Sequence, residues 1–403
     1  MMDEAQTDAD GDSNQIAPAL ISVHPNQHSA AVALGPSLRI FDLQKNSRVS
    51  LSDASVPPVH TDSIRALRYS SDGKVLVSGG DDKLVKIWST FSWRSISIIR
   101  SEKRVSAIAV SNDGQFICFA DKFGAVWVAD INEANENSLE NVASPLFSHY
   151  CSIITSLEFS PNGEFIISAD RDFKIRVTMF PKDPLKGAHN IQSFCLGHTE
   201  FVSCLDFISN ENNQELLVSG SGDSTVRVWD FGSGSLLHIF DDFGEEASAI
   251  TALCTLPNSP IVAVVAQSLM GIALLRYNTN PSHLVLLNMI SMSEGFIPTG
   301  LSVSTSGELL WMVTGVSKLN GGVGLVARVR VLNGCQMGVL EDDDVPGCKD
   351  LLLELQGSVS IDEHLVCEVG KAAKAALSGQ FVKKQYSFEN RELRKRTRND
   401  KKQ

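Results

Sequence analysis

Three stretches of this chain repeat one design: Gly80-Asp81-Asp82-Lys83-Leu84-Val85-Lys86-Ile87-Trp88, Ser168-Ala169-Asp170-Arg171-Asp172-Phe173-Lys174-Ile175-Arg176-Val177 and Gly220-Ser221-Gly222-Asp223-Ser224-Thr225-Val226-Arg227-Val228-Trp229. In each, a polar turn containing Asp leads into alternating apolar residues, the period-two pattern of a strand with one buried face. Aligned on the turn, Asp82, Phe123, Asp172 and Asp223 share one repeat position, with successive spacings of 41, 49 and 51 residues. A period of about 40 to 50 residues holding about four short strands predicts a β-propeller blade. Stacked helix pairs are excluded, because the repeat region has no sustained 3.6-residue periodicity.

The same rhythm extends in both directions. Apolar-alternating segments at 19–23, 30–34 and 38–41 make a first blade, and those at 105–110, 116–120 and 125–129 a third. Beyond residue 245 the repeat weakens, but 250–256, 261–266 and 272–277 suit a sixth blade, and 300–303, 309–313 and 326–331 a seventh. The expectation is an all-β, seven-bladed propeller over residues 16–340, with six or eight blades as alternatives. Residues 16–23 are expected to complete the last blade, since sharing strands between the ends removes exposed edges. Residues 341–380 are read as an extension packing on the propeller, with a short helix at 368–377. Residues 1–15, acidic and polar, are expected to be disordered, and 381–403 to form a basic flexible tail.

Charge is unevenly distributed. The net charge is -12, yet residues 382–403 hold nine Lys or Arg against Glu389, Glu392 and Asp400, which leaves the rest near -18. An acidic body with a basic tail excludes a protein that binds nucleic acid over its whole surface. The tail suits tRNA phosphates, a salt-sensitive and sequence-independent contact, or a nuclear localisation signal. Eight scattered cysteines without CxxC spacing predict reduced thiols rather than disulfides or zinc. The N-terminus lacks an apolar signal region, and no apolar run approaches the roughly 20 residues of a membrane span, so no membrane partner is expected.

Residues that elsewhere carry chemistry have structural readings here. His60, His149 and His198 precede the turn position by 22 to 25 residues. With Asp82, Asp172 and Asp223, with Ser78 and Ser219, and with Trp88 and Trp229, they suit buried hydrogen-bond sets rather than catalysis. The glycine runs Gly79-Gly80, Gly220-Ser221-Gly222 and Gly321-Gly322-Val323-Gly324 do not follow a strand, open a helix and precede an acidic residue some 20 positions on, so they read as turns and not as a cofactor cradle. The charged departures are Lys122 and Arg171, both at the Gly222 position, and Lys174 in place of Thr225. Alternation puts Lys174 and Arg176 on one side of their strand, with Ile175 and Val177 on the other.

Blade by blade the chain resembles the WD repeat: Gly197-His198, Asp223 and Trp229-Asp230 in blade 5; His60, Asp82 and Trp88 in blade 2; His149 and Asp172 with Thr178 for Trp in blade 4. The 168–177 run followed by Ser193-Phe194-Cys195-Leu196-Gly197-His198-Thr199-Glu200-Phe201-Val202-Ser203, with Ala120-Asp121-Lys122 before it, is similar to the non-catalytic WD-repeat subunits of tRNA guanine-N7 methyltransferase. The close match covers about residues 105–230. The resemblance implies a nuclear heterodimer. A separate catalytic subunit binds S-adenosylmethionine and methylates a guanine of the tRNA variable loop, and the propeller stabilises and activates it while holding no cofactor of its own. It further implies that Lys122, Arg171, Asp172, Phe173, Lys174 and Arg176 contact that partner. One departure is Phe173, where the animal pattern implies Glu; an apolar contact would there replace a salt bridge. The alternative is a generic WD scaffold, such as a ubiquitin-ligase substrate receptor or chromatin-binding module. An enzyme in its own right lacks a visible nucleophile–base pair, metal cluster or cofactor loop.

Overall fold

In a computed structural model the described residues are 16–381, apart from 52–58, 132–139, 151, 211–212, 245–247, 268, 292–296, 306, 318–325, 334–337 and 357–362. The expectations for residues 1–15, for the basic tail and for the glycine run at 321–324 lie outside them. Seven sheets follow one another along the chain, each built on an antiparallel set of four strands. The first strand of each sheet meets the first strand of the next, and Pro298–Val303 of blade 7 meets Leu20–Val23 of blade 1, closing a seven-bladed propeller. Blade 2 gains a fifth strand, Glu140–Asn141, which pairs parallel to Ser95–Arg100.

The second strand of each blade is buried on both faces. Ser29–Leu34, Val75–Gly80 and Leu309–Val316 are near-continuous apolar or small-residue runs, as a strand between two neighbouring sheets must be. The third strand of blade 4 alternates over its first half: in Lys174–Met179, Ile175 and Val177 are fully buried while Lys174 is exposed.

Adjacent blades are joined by a device at the start of the inner strands. The ladder with the second strand skips one residue in several blades, leaving a bulge at Thr155, Ser203 and Thr299. Each bulge hydroxyl donates to the backbone of the next blade: Thr155 Oγ1 to Val202 O at 2.5 Å, Ser203 Oγ to Ile250 O at 2.6 Å and Thr299 Oγ1 to Ala19 O at 2.8 Å. Nearer the axis, Arg68 of blade 2 pairs with Glu158 of blade 4. Asp206 of blade 5 accepts from the backbone N and hydroxyl of Thr255 in blade 6 at 2.7 and 3.0 Å.

Closure differs from the expected strand sharing. Residues 20–23 belong to blade 1, where they pair with Ser29–Leu34. Ala17–Ala19 bonds the far end of blade 7's second strand without adding a strand to it: Ala19 N donates to Gly315 O at 2.9 Å and Ser317 N to Ala17 O at 2.8 Å. Since blade 7 supplies all four of its own strands, the seam is covered instead by helix α1 (Cys348–Gln356). Leu351, Leu352 and Leu355 of α1 are buried in one cluster with Phe41 and Leu43 of blade 1 and Val329 and Val331 of blade 7. Arg39 Nη1 donates to Leu355 O at 2.9 Å, satisfying a carbonyl at the helix end. Helix α2 (Glu363–Phe381) is longer than the expected 368–377 helix and lays Val369, Ala373 and Ala376 against Val316. Gln267 of blade 6 donates to its Ser378 hydroxyl at 3.1 Å.

In blades 2 and 5 a buried polar chain runs through the sheet. Trp229 Nε1 donates to Ser219 Oγ at 2.8 Å, Ser219 Oγ to His198 Nε2 at 2.8 Å, and His198 Nδ1 to Asp223 Oδ2 at 2.9 Å. The carboxylate only accepts, which places the proton on Nδ1 and leaves Nε2 to receive the serine hydroxyl. Trp88, Ser78, His60 and Asp82 repeat the chain at 3.0, 2.9 and 2.8 Å. In blade 4 the sequence expectation is corrected: His149 Nδ1 bonds Asp170 Oδ2 at 2.9 Å, not Asp172, and its Nε2 bonds Ser168 at 2.8 Å. Asp170 ends its strand two residues before the turn position, so its carboxylate already lies within the blade. Blade 3 uses the same strand-end position: Asp121 caps the backbone of Phe123 and Ala125 and accepts from Trp127 Nε1 at 3.2 Å.

Two tests follow from these contacts. Leu351→Ala removes a fully buried side chain from the seam and is expected to lower stability by about 2–5 kcal/mol, seen as a lower Tm. Acid provides the second. Burial works against ionised Asp223, yet bonds from His198, Thr225 and Thr199 N–H hold its carboxyl well below the usual range. Burial likewise pushes His198 below its ordinary value, outweighing Asp223. Both folded pKa values are depressed, so both contributions are complete above the unfolded values. They are lost on acidification, from about pH 6.5 for His198 and about pH 3.9 for Asp223. Asp223→Asn should therefore cost about 1–3 kcal/mol at pH 7 and reduce the further loss between pH 4 and pH 2 in acid-unfolding curves.

Candidate partner interface

The turn between the second and third strands of blade 4 is fixed by its own backbone. Arg171 N donates to Ile153 O at 2.9 Å, Asp172 N to Ser152 Oγ at 3.2 Å and Lys174 N to Asp170 Oδ1 at 3.0 Å. The first of these bonds recurs around the ring. Asp81 N, Lys122 N and Gly222 N meet Ser63 O, Arg104 O and Phe201 O at 2.8, 3.0 and 2.8 Å. The four residues are thus geometric equivalents on one rim, each beside its own inner strand.

The side chains at these equivalent places differ. Arg171 is only 7% exposed and meets Asp172 Oδ1 at 3.3 Å, so it is not the projecting charge that its place in the turn suggests. Lys122 is partly exposed and lies 3.9 Å from Asp81 of blade 2, whose other oxygen holds Arg65 at 2.6 Å. Arg176 is half-buried: its Nε donates to Thr178 Oγ1 at 3.0 Å, its Nη1 to Ser148 O at 3.3 Å, and its guanidinium lies 4.7 Å from the Phe147 ring. Thr178, its hydrogen-bond partner, stands where blades 2 and 5 carry tryptophan. Lys174 faces solvent.

Phe173 is the unusual residue of the turn. Its φ is +71°, in the left-handed region where its equivalents are Lys83, Gly124 and Ser224. A bulky side chain seldom occupies that region, and this one is 43% exposed. On blade 3, Phe123 is 62% exposed with Lys103 Nζ 5.1 Å from its ring. The rim thus pairs exposed aromatic rings with Lys174 and Lys103, while Lys122, Arg171 and Arg176 are bound into the fold. Phe123 and Lys103 had no place among the sequence candidates, because Phe123 counted there only as a blank at the turn position.

The glycine positions are filled from within the protein. A Cβ on Gly80 would strike Ser63 O, one on Gly220 would come 2.5 Å from Ile250 Cγ2, and one on Gly222 2.5 Å from Phe201 Cε1. They admit close packing of strands and turns. Among the described residues no group of three or more His, Cys, Asp or Glu could hold a metal ion.

Comparison with known proteins agrees with this architecture. Residues 132–294 match the family described as "tRNA methyltransferase TRM82 WD40 domain", and 54–89 match "WD domain, G-beta repeat". The tRNA (guanine-N(7)-)-methyltransferase non-catalytic subunit wdr4 of Xenopus laevis is 31% identical over 286 residues, covering 68% of each chain. The Dictyostelium discoideum protein of the same description is 30% identical over 247 residues, 58% of this chain and 50% of the relative. The Danio rerio one is 34% identical over 223 residues, 53% of this chain and 51% of the relative. The chain thus spans about half the length of several curated relatives it matches. Among solved structures, "Structure of U3-55K" has a TM-score of 0.62 at 23% identity, covering 74% of this chain and 88% of that one, a likeness of fold alone. The propeller, its blade 4 turn and these matches together place the chain in the family of WD-repeat non-catalytic subunits of tRNA (guanine-N7) methyltransferase.

Proposed function

We propose that this chain is the non-catalytic subunit of a heterodimeric tRNA guanine-N7 methyltransferase and docks its catalytic partner on the blade 3–4 rim. The observation that carries this reading is the preformed turn at 170–174, which presents Phe173 and Lys174 on a hydrogen-bonded backbone. A turn already ordered has little conformational entropy to lose on binding. Fixed cations on an acidic body favour a partner surface bearing carboxylates, and such pairing chiefly governs association rate and choice of partner. Phe173, in place of a charged residue, adds an apolar contact to that interface. Lys122, Arg171, Asp172 and Arg176 hold the rim in shape from beneath it.

In this reading the partner binds S-adenosylmethionine and performs the methyl transfer to the variable-loop guanine. The propeller keeps it folded and active. The basic segment at 382–403 meets tRNA phosphates within the complex, and the heterodimer acts in the nucleus.

The test uses Phe173→Ser with Lys174→Glu. Serine is the residue blade 5 carries at the same left-handed position, so the turn is retained. The double variant should keep its Tm within a few degrees while losing at least tenfold in affinity for the co-expressed catalytic subunit, with a parallel loss of tRNA methylation. Undiminished co-purification would remove the rim from the interface. Survival of variable-loop methylation after deletion of the gene would instead favour a generic WD scaffold. Removing residues 382–403 should make tRNA binding by the complex less steeply dependent on salt.

A further inference from the structure

Between blades 1 and 2, at the opposite ends of the strands from the blade 4 turn, a recess of about 190 Å³ is lined by His24, His28, Asp42, Thr90, Phe91 and Trp93. One water needs about 10–15 Å³ by the same measure, so the space admits a large side chain together with water.

Trp93 stands where the backbone disfavours it. Its φ is +52°, four residues after the third strand of blade 2 ends at Ser89. The matching positions are Asn46 in blade 1, at +49°, and Gly234 in blade 5, at +78°. Asn and Gly accept the left-handed region readily, whereas an indole there is an outlier, of the kind that clusters at functional sites. One side of Trp93 packs on the blade 1–2 core, which accounts for part of its presence. Phe91, two residues earlier in the same turn, is 98% exposed and has no such account.

The opposite wall is a stacked histidine pair, with His24 and His28 ring centroids 4.6 Å apart and 21° between planes. His24 Nδ1 accepts from Asn26 N at 3.1 Å and its Nε2 donates to Gly73 O at 3.0 Å, so the ring is fixed and neutral. Asp42 supplies the charge. Its Oδ1 caps the backbone N–H of Gln44 and Lys45, and its Oδ2 meets Lys45 Nζ at 3.2 Å. Lys45 is 78% exposed, and an ion pair of that kind holds weakly.

We propose that this recess binds the guanidinium of an arginine side chain on a protein partner. A flat cation stacks on aromatic faces and offers paired N–H groups to a carboxylate, and this recess presents both. The Asp42 carboxylate and the acidic body disfavour anions, and a guanidinium would take the place of the exposed Lys45 ammonium on Asp42 Oδ2.

The probe is acetyl-arginine amide, titrated against the full chain and followed by ligand-observed NMR, with the lysine and citrulline analogues as comparators. Arginine should bind with Kd of about 1 mM, and neutral citrulline at least tenfold more weakly. Phe91→Ala, Asp42→Asn and Trp93→Asn should each weaken arginine at least fivefold. Phe91 is solvent-exposed and asparagine is blade 1's own residue in the Trp93 turn, so these variants should stay folded by thermal melting. Failure of arginine to bind, citrulline or lysine binding equally well, or folded variants retaining full affinity would each overturn the assignment.

Discussion

The ring depends on what happens to backbone carbonyls at the mouth of each inner strand. A sheet edge buried against its neighbour cannot leave such groups unpaired without large cost. The bulges at Thr155, Ser203 and Thr299 solve this by freeing one residue from the ladder and turning its hydroxyl toward the next blade. Each such bond is modest alone. Together they tie blade 4 to 5, blade 5 to 6 and blade 7 to 1.

Much of this was legible in the sequence, and the limits have physical causes. Seven blades follow from alternation and turn spacing, because burial on one face imposes period two wherever a strand packs. The turn register was also legible: Asp82, Asp172 and Asp223 do sit at matching places. What that register cannot reveal is which nearby carboxylate points inward. Asp170 and Asp121 do so from strand ends, and the shared pairs Ala120-Asp121 and Ala169-Asp170 were the available sign. Arg171 misled for a related reason, since position in a turn does not determine whether a side chain folds back. The seam was least legible, because α1 is short and its three buried leucines gain meaning only from the blades they join.

The same turn serves different ends in different blades. In blade 5 it carries Gly222, Asp223 and Ser224, and its side chains support the blade. Blade 4 keeps the backbone bonds and transfers the structural carboxylate to Asp170, which releases 173 and 174 from any structural duty. A comparable transfer marks the blade 2 turn, where an asparagine or glycine position holds Trp93. In both places a sturdy frame permits an unfavourable backbone choice to persist.

The position of α1 at the seam also sets an order of events. Blades 1 and 7 meet under a helix that comes after both in the chain, so residue 356 must be made before the seam gains its cover. Until then blade 1 waits with an uncovered flank, while blades 3 and 4 have emerged and can pair with each other. The turn at 170–174 is therefore made well before the helix that covers the seam between the two ends of the ring.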